Sequence, residues 1–169
     1  MSTVFLSHST RESPAALLLK SAIETFCPGT TVFMAAVDIE LGEPWFETIQ
    51  EQLNQSQVLI SLLSVESSNR PWLYFEAGAA SGRQDDLRVI PTLHRGMRLD
   101  ELPVPFARYQ GVELDGVPQF ISFLEQVAST CSQPGPIFRS ELGEKPVDEE
   151  VCEPWYARFS DIGQSLDQE

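Results

Sequence analysis

The chain has 169 residues, 42% of them hydrophobic and 21% charged, which suits one globular domain with its own core. Eleven basic residues against 25 acidic ones give a formal net charge of −14, the wrong sign for a protein that tracks nucleic-acid phosphates. No run approaches 18 apolar residues, so no membrane span is expected, and MSTVFLSHST lacks the basic segment and long apolar core of a secretory signal. Three cysteines without CxxC spacing (Cys27, Cys131, Cys152) and two histidines (His8, His94) point to reduced cytoplasmic thiols, not to a disulfide framework or a metal site.

In chain order, Thr3 to Leu6 predicts a short first strand that breaks into the polar stretch SHSTRES. Ser13 and Pro14 read as the cap and first position of a helix. Leu19, Ala22, Ile23 and Phe26 then fall on one helical face, until Cys27-Pro28-Gly29 stops it. Thr31 to Met34 predicts a second strand, followed by a loop from Ala35 to Pro44. A second helix begins near Trp45, with Phe46, Ile49 and Leu53 inward. The run QVLISLL, Gln57 to Leu63, suits a central strand buried on both faces. After the turn-forming SVESSNRP, a helix is expected from Pro71 or Trp72 to about Gly82. A strand follows around Val89 to Leu93, where Pro91 is awkward because it removes a ladder hydrogen bond. The last strand is expected at Tyr109 to Leu114, and the last clear helix from Pro118 to about Thr130, with Phe120, Phe123, Leu124 and Val127 inward.

Five strands alternating with helices imply a doubly wound α/β fold with a parallel sheet and right-handed crossovers. Residues 1–130 form this domain. Residues 131–169 differ: nine acids against three basic residues give a net of −6, and Pro134, Pro136, Pro146 and Pro154 interrupt them. Pro154 reads as the start of a short helix carrying Trp155 and Phe159 on one face. This acidic stretch is either an extension docked on the domain or a partner, or a disordered linker.

Ligands of open α/β sheets bind beyond the carboxyl ends of the strands. The segments there are SHSTRE, AAVDIELGEPW and SVESSNRPW. Ser7, His8 and Ser9 form a small polar floor or a turn whose hydroxyls cap the backbone. His8 could act as a base, yet no nucleophile partner is evident. GxSxG, GxGxxG and GxxxxGK[ST] are all absent, which disfavours serine hydrolases, dinucleotide redox folds and P-loops. Asp38 and Gly42 fit loop geometry. In WLYFEAG, Trp72 and Glu76 share a helical face, and Glu76 is the only charge between Arg70 and Arg83. Such a carboxylate is either paired with an arginine such as Arg83, partly exposed over aromatic rings, or held for a ligand.

Taken in order, VFLSHS, VFMAAVDIELGEPW, QVLISLLSVESSNRPWLYFEAG and VIPTL resemble a Toll/interleukin receptor (TIR) domain over about residues 3–130. The likeness is to bacterial members with an I-x-x-G-x-x-W loop, here Ile39, Gly42 and Trp45. The resemblance implies a flavodoxin-like five-stranded sheet with helices on both faces, and homo-oligomers or filaments of TIR chains assembled through that loop. It also implies cleavage of the nicotinamide–ribose bond of NAD+, a substrate and not a cofactor. Glu76 of the W-x-x-x-E pattern would be catalytic, and Trp72, Ser7, His8, Phe5 and Asp38 substrate-binding. Phe5 reads equally as a core strand residue, and Arg11-Glu12 stand where many members have Asp. A role in bacterial antiviral defence, with a sensor domain or partner protein, would follow. Members lacking the glutamate act as non-catalytic scaffolds by homotypic assembly, which is the alternative here. A deoxyribosyltransferase-like enzyme of the same topology is a third. Six of nine arginines lie between Arg70 and Arg108, where local charge is nearly neutral and permits an anionic ligand.

Overall fold

The computed structural model describes residues 2–34, 45–70, 78, 87–131, 135–141 and 143–168, the side chain of Trp45 excepted. Strand β1 (Ser2–Ser7) runs through a 3-10 turn, Thr10–Glu12, into helix α1 (Ser13–Phe26). Then come β2 (Thr30–Phe33), α2 (Trp45–Gln55), β3 (Val58–Leu63), β4 (Arg88–Leu93), β5 (Val112–Glu113) and α3 (Val117–Thr130). The five strands are all parallel, in the order β2-β1-β3-β4-β5. This is the flavodoxin-like order, with its switch point between β1 and β3. The predicted helix from residue 71 or 72 to 82 lies outside the described residues apart from Gly78, which is helical.

Alternation along the strands builds two cores. Val4, Leu6, Val32, Ile60 and Ile90 face α1 and α3, meeting Leu19, Ile23, Phe26, Phe120, Phe123 and Val127. Phe5, Phe33, Leu59 and Val89 face the other way, onto Ile49 and Leu53 of α2. Every residue of β3 is buried, as a strand covered on both faces requires. At the sheet's outer margin, the Val32 N–H donates to Glu24 Oε1 at 2.9 Å and the Val32 carbonyl accepts from Lys20 Nζ. The Thr30 N–H turns back to the Cys27 carbonyl.

Two local expectations change, the first in α2, where Phe46, expected inward, is exposed. Ser13 is the first helical residue instead of the cap, because the 3-10 turn feeds directly into α1 and leaves Glu12 at the cap position. Pro91 does sit inside β4, paired in register with Ser61. The His94 N–H reaches the Leu63 carbonyl, and the Leu93 carbonyl takes the Leu114 N–H, so odd-numbered backbone groups of β4 point toward β5. β5 pairs only with Thr92 and Leu93, so no ladder partner waits at Pro91's missing donor. Gly111 passes the Pro91 carbonyl so closely that a Cβ would lie 2.7 Å from its oxygen. Gly111→Ala should therefore cost about 1–3 kcal/mol through overpacking. Urea unfolding measures it, and an unchanged midpoint would contradict this close approach.

Beyond α3, Ile137–Ser140 (β6) and Gly143–Pro146 (β7) form an antiparallel hairpin, followed by α4, Glu149–Asp167. α4 lies on the sheet's helical layer: Trp155 packs edge-on against Phe26, and Tyr156 and Phe159 meet Phe120. Cys152, Phe159 and Leu166 are buried. The short helix expected from Pro154 is thus a 19-residue helix with Pro154 inside it. Its start is set by Asp148, whose side chain accepts from the Val151 N–H at 3.0 Å. Among the described residues no helix is long and apolar enough to cross a membrane.

Candidate functional site

The topology places functional loops at the carboxyl ends of β1 and β3, on either side of the switch point. Ser7 ends β1 directly opposite Ser61 of β3, and both are buried. They form a narrow hydroxyl-bearing floor above Phe5 and Leu59 on the α2 face. The chain enters residues 35–44 from Met34 and residues 71–77 from Arg70, so both segments depart from this end of the sheet.

His8 follows Ser7, and its Nε2 lies 3.1 Å from the Ser13 hydroxyl. Burial pulls the imidazole below its usual value of 6.5, against the opposing pulls of the Leu6 backbone and the Glu12 charge. His8 is therefore neutral near pH 7, with its ring orientation set by the first turn of α1. This hydroxyl contact was not evident from the spacing, because Ser13 read as a helix cap.

The residue that sequence reasoning missed is Glu12. Its side chain is 1% exposed although it sits in a run of polar residues. Oε2 accepts from the Ser9 hydroxyl at 3.2 Å, and Oε1 lies 3.1 Å from His94 Nε2 and 4.0 Å from Arg95 Nη1. Burial alone would raise this carboxyl; His94, with the Ser64 and Ser67 hydroxyls, outweighs it and holds Glu12 below its usual value. Ser64 and Ser67 also tie their own turn, with the Ser64 N–H donating to Ser67 Oγ at 2.9 Å. One carboxylate thus joins the loop after β1, the turn after β3 and the end of β4. His94 Nδ1 is buried with no hydrogen-bond partner among the described residues, and its ring lies against Phe159 of α4.

Of the other sequence-derived candidates, Phe5 is fully enclosed, its ring 5.3 Å from Phe33. The alternation of β1 turns residue 5 into the α2-side core, the core position that its sequence also allowed. Asp38, Ile39, Gly42, Trp72 and Glu76 lie outside the described residues, and Trp45 is described only as the first residue of α2. Among the described residues no group of His, Cys, Asp and Glu side chains could hold a metal ion.

Two cavities lie along the β4–β5 side of the sheet, the first of them reaching His94 and Arg95 of this network. One of about 240 Å3 runs between the ends of β4 and β5 and α4, lined by Arg98, Glu113, Tyr156 and Asp167. Its charged groups are mutually paired: Arg98 meets Glu113 at 2.9 Å, and Asp167 binds Arg95. The other, about 850 Å3, opens at the amino ends of β4 and β5 beside Arg88 and Arg108. That is the end opposite to where this topology gathers ligand loops.

Sheet order, crossover helices and a loop cluster at the switch point define a flavodoxin-like α/β protein. The TIR-domain family profile matches residues 4–127, and the chain belongs to that family. Among solved structures, the chain is similar to a metazoan TIR-STING receptor from C. gigas in complex with 2',3'-cGAMP. The TM-score is 0.57 at 22% identity, over 80% of this chain and 41% of that one. At such identity the likeness is one of fold, and this chain spans about two fifths of its neighbour's length. No curated protein matches the sequence.

Proposed function

We propose that this TIR domain cleaves NAD+ between nicotinamide and ribose, giving nicotinamide and ADP-ribose or a cyclic isomer. The observation that carries the reading is the Trp72-x-x-x-Glu76 motif, in a chain of this family, just after the turn that follows β3. The C1′–N bond breaks with its electron pair leaving on nicotinamide, a neutral ring that needs no general acid. The ribose passes through an oxocarbenium-like state, which the Glu76 carboxylate would stabilise while accepting from ribose hydroxyls. Water, or a nucleophilic atom of the same substrate, then takes C1′ and sheds a proton. Trp72 would wall the pocket, and Ser7 and neutral His8 offer uncharged hydrogen-bonding groups.

NAD+ is an anion and the chain carries −14, so long-range attraction does not deliver it. Binding would rely on local contacts and on completion of the site by a neighbouring TIR chain. Assembly through Ile39, Gly42 and Trp45 is part of the proposal, as are a sensor or partner protein, a cytoplasmic setting and a role in bacterial antiviral defence.

The test is nicotinamide release from NAD+ by the wild-type chain and Glu76→Ala across protein concentrations, with a crowding agent. We expect release that climbs steeply with concentration and falls at least about 100-fold in the variant, the scale of losing one main transition-state contact. Full activity in a folded Glu76→Ala would overturn the assignment. Silence from wild type, with self-association that changes at Gly42 or Trp45 weaken, would favour the scaffold alternative.

A further inference from the structure

The last turn of α4, outside the stretch that the family profile covers, reaches the carboxyl edge of the sheet. There Asp167 Oδ1 accepts from Arg95 Nε at 2.7 Å, and the Leu166 carbonyl accepts from Arg11 Nη2. Both arginines also hold Glu66 in the turn after β3: Oε2 lies 2.8 Å from Arg11 Nη1 and 3.3 Å from Arg95 Nη2. Arg95 Nη1 stands 4.0 Å from Glu12. One guanidinium therefore touches α4, the turn after β3 and the buried carboxylate of the loop after β1.

The conformation of Arg95 is unusual for a surface cation. Its side chain is 4% exposed and its backbone has φ of 54°, a left-handed region that non-glycine residues seldom occupy. Such backbone strain persists where surrounding structure over-determines it, and it gathers at functional sites. Here the surroundings are three carboxylates from three elements. The turn holding Glu66 continues through Arg70 into the segment that carries Trp72 and Glu76.

We propose that α4 is a brace for the switch-point loops, with Asp167 and Arg95 as positioning residues that hold residues 64–70 and 94–96 for the reaction. The kinetic half of this inference rests on the function proposed above; the structural half does not. Asp167 is half-exposed and lies beyond the apolar contacts of Phe159 and Cys152, so losing its carboxylate leaves the seat of α4 intact.

The experiment uses the full chain with Asp167→Ala and Asp167→Glu. Amide hydrogen exchange follows residues 64–70 and 94–97, and thiol labelling with peptide mapping follows Cys152 in α4 against Cys27 in the main core. Asp167→Ala should speed loop exchange by about tenfold while the β1 and β3 amides and both thiols keep their protection. Asp167→Glu should restore slow exchange, and nicotinamide release by the alanine variant should show a lowered kcat at nearly constant KM. Unchanged loop exchange would overturn the proposal. So would Cys152 labelling in step with loop opening, because α4 would then simply be detaching. A wild-type chain without turnover would remove the glycohydrolase reading alone, since exchange and labelling still decide whether α4 braces the loops.

Discussion

Glu12→Ala should lose about 3–5 kcal/mol of stability, the scale of stripping one partner from a buried ionic network. The carboxylate receives the Ser9 hydroxyl and His94 Nε2 and stands beside Arg95. Its removal strands a buried imidazole whose other nitrogen is already without a partner among the described residues. Glu12→Gln keeps the shape and one acceptor oxygen, so a smaller loss, roughly 1–2 kcal/mol, is expected. Both variants also differ from wild type in their pH dependence, because neither carries the Glu12 carboxyl. Glu12 is held below its usual 4.5, so the unfolded chain takes up this proton at higher pH than the native one. The contribution is complete above about pH 4.5 and is lost as pH falls through the lower native value. Glu12→Gln should flatten that acid limb in urea midpoints taken from pH 3 to 7. An identical limb in variant and wild type would show that other carboxylates govern it.

Phe159→Ala is the second large effect, about 3–5 kcal/mol, as for other fully buried aromatic residues. Phe159 joins Phe120 of α3 to His94 at the end of β4, with ring centroids 6.3 and 5.6 Å away. Its loss opens a void under α4 where two structural layers meet. For a chain of this size the melting temperature should fall by roughly 10 °C. A drop under about 2 °C, or a separate early transition, would mean that α4 melts independently of the α/β core.

Where a segment's own chemistry dictated its structure, the chain was readable. QVLISLL predicts a strand buried on both sides, and β3 is one. The apolar spacing of α1 and α3 predicts which side chains turn inward, and Phe26, Phe120 and Val127 do so. The hairpin β6–β7 was hidden because its residues, IFRS and GEKP, are half-buried or exposed and carry no alternation. Pro154 predicts a helix start five residues inside the true one at Glu149. The stronger signal was Asp148 followed by Glu149 and Glu150, a capping residue and two acids in the first turn. Pro154 is tolerated near the helix start, on an exposed position where water can serve the carbonyl it leaves unpaired.

The candidate site was legible only in part. Ser7 and His8 could be located at a strand end because the apolar run Thr3 to Leu6 stops just before them, and Ser7 is the last residue of β1. Glu12 could not: within SHSTRES nothing distinguishes it from a solvated acid, and its burial depends on His94, 82 residues away. Phe5 shows the converse, since a pocket role and a core role share one residue type, and its core position comes from the two-sided packing of β1.

The occupied backbone of Val32 bears on how such chains can associate. A sheet that ends in a bare strand invites a second molecule to add another strand. Here the α1 side chains of Lys20 and Glu24 already take the carbonyl and N–H that an incoming strand would need. A neighbouring copy would have to displace an ion pair of this chain before it could hydrogen-bond there. The β2 edge is therefore a poor place for a second copy to add a strand, and the near-irreversible backbone zippering of cross-β aggregates is disfavoured there.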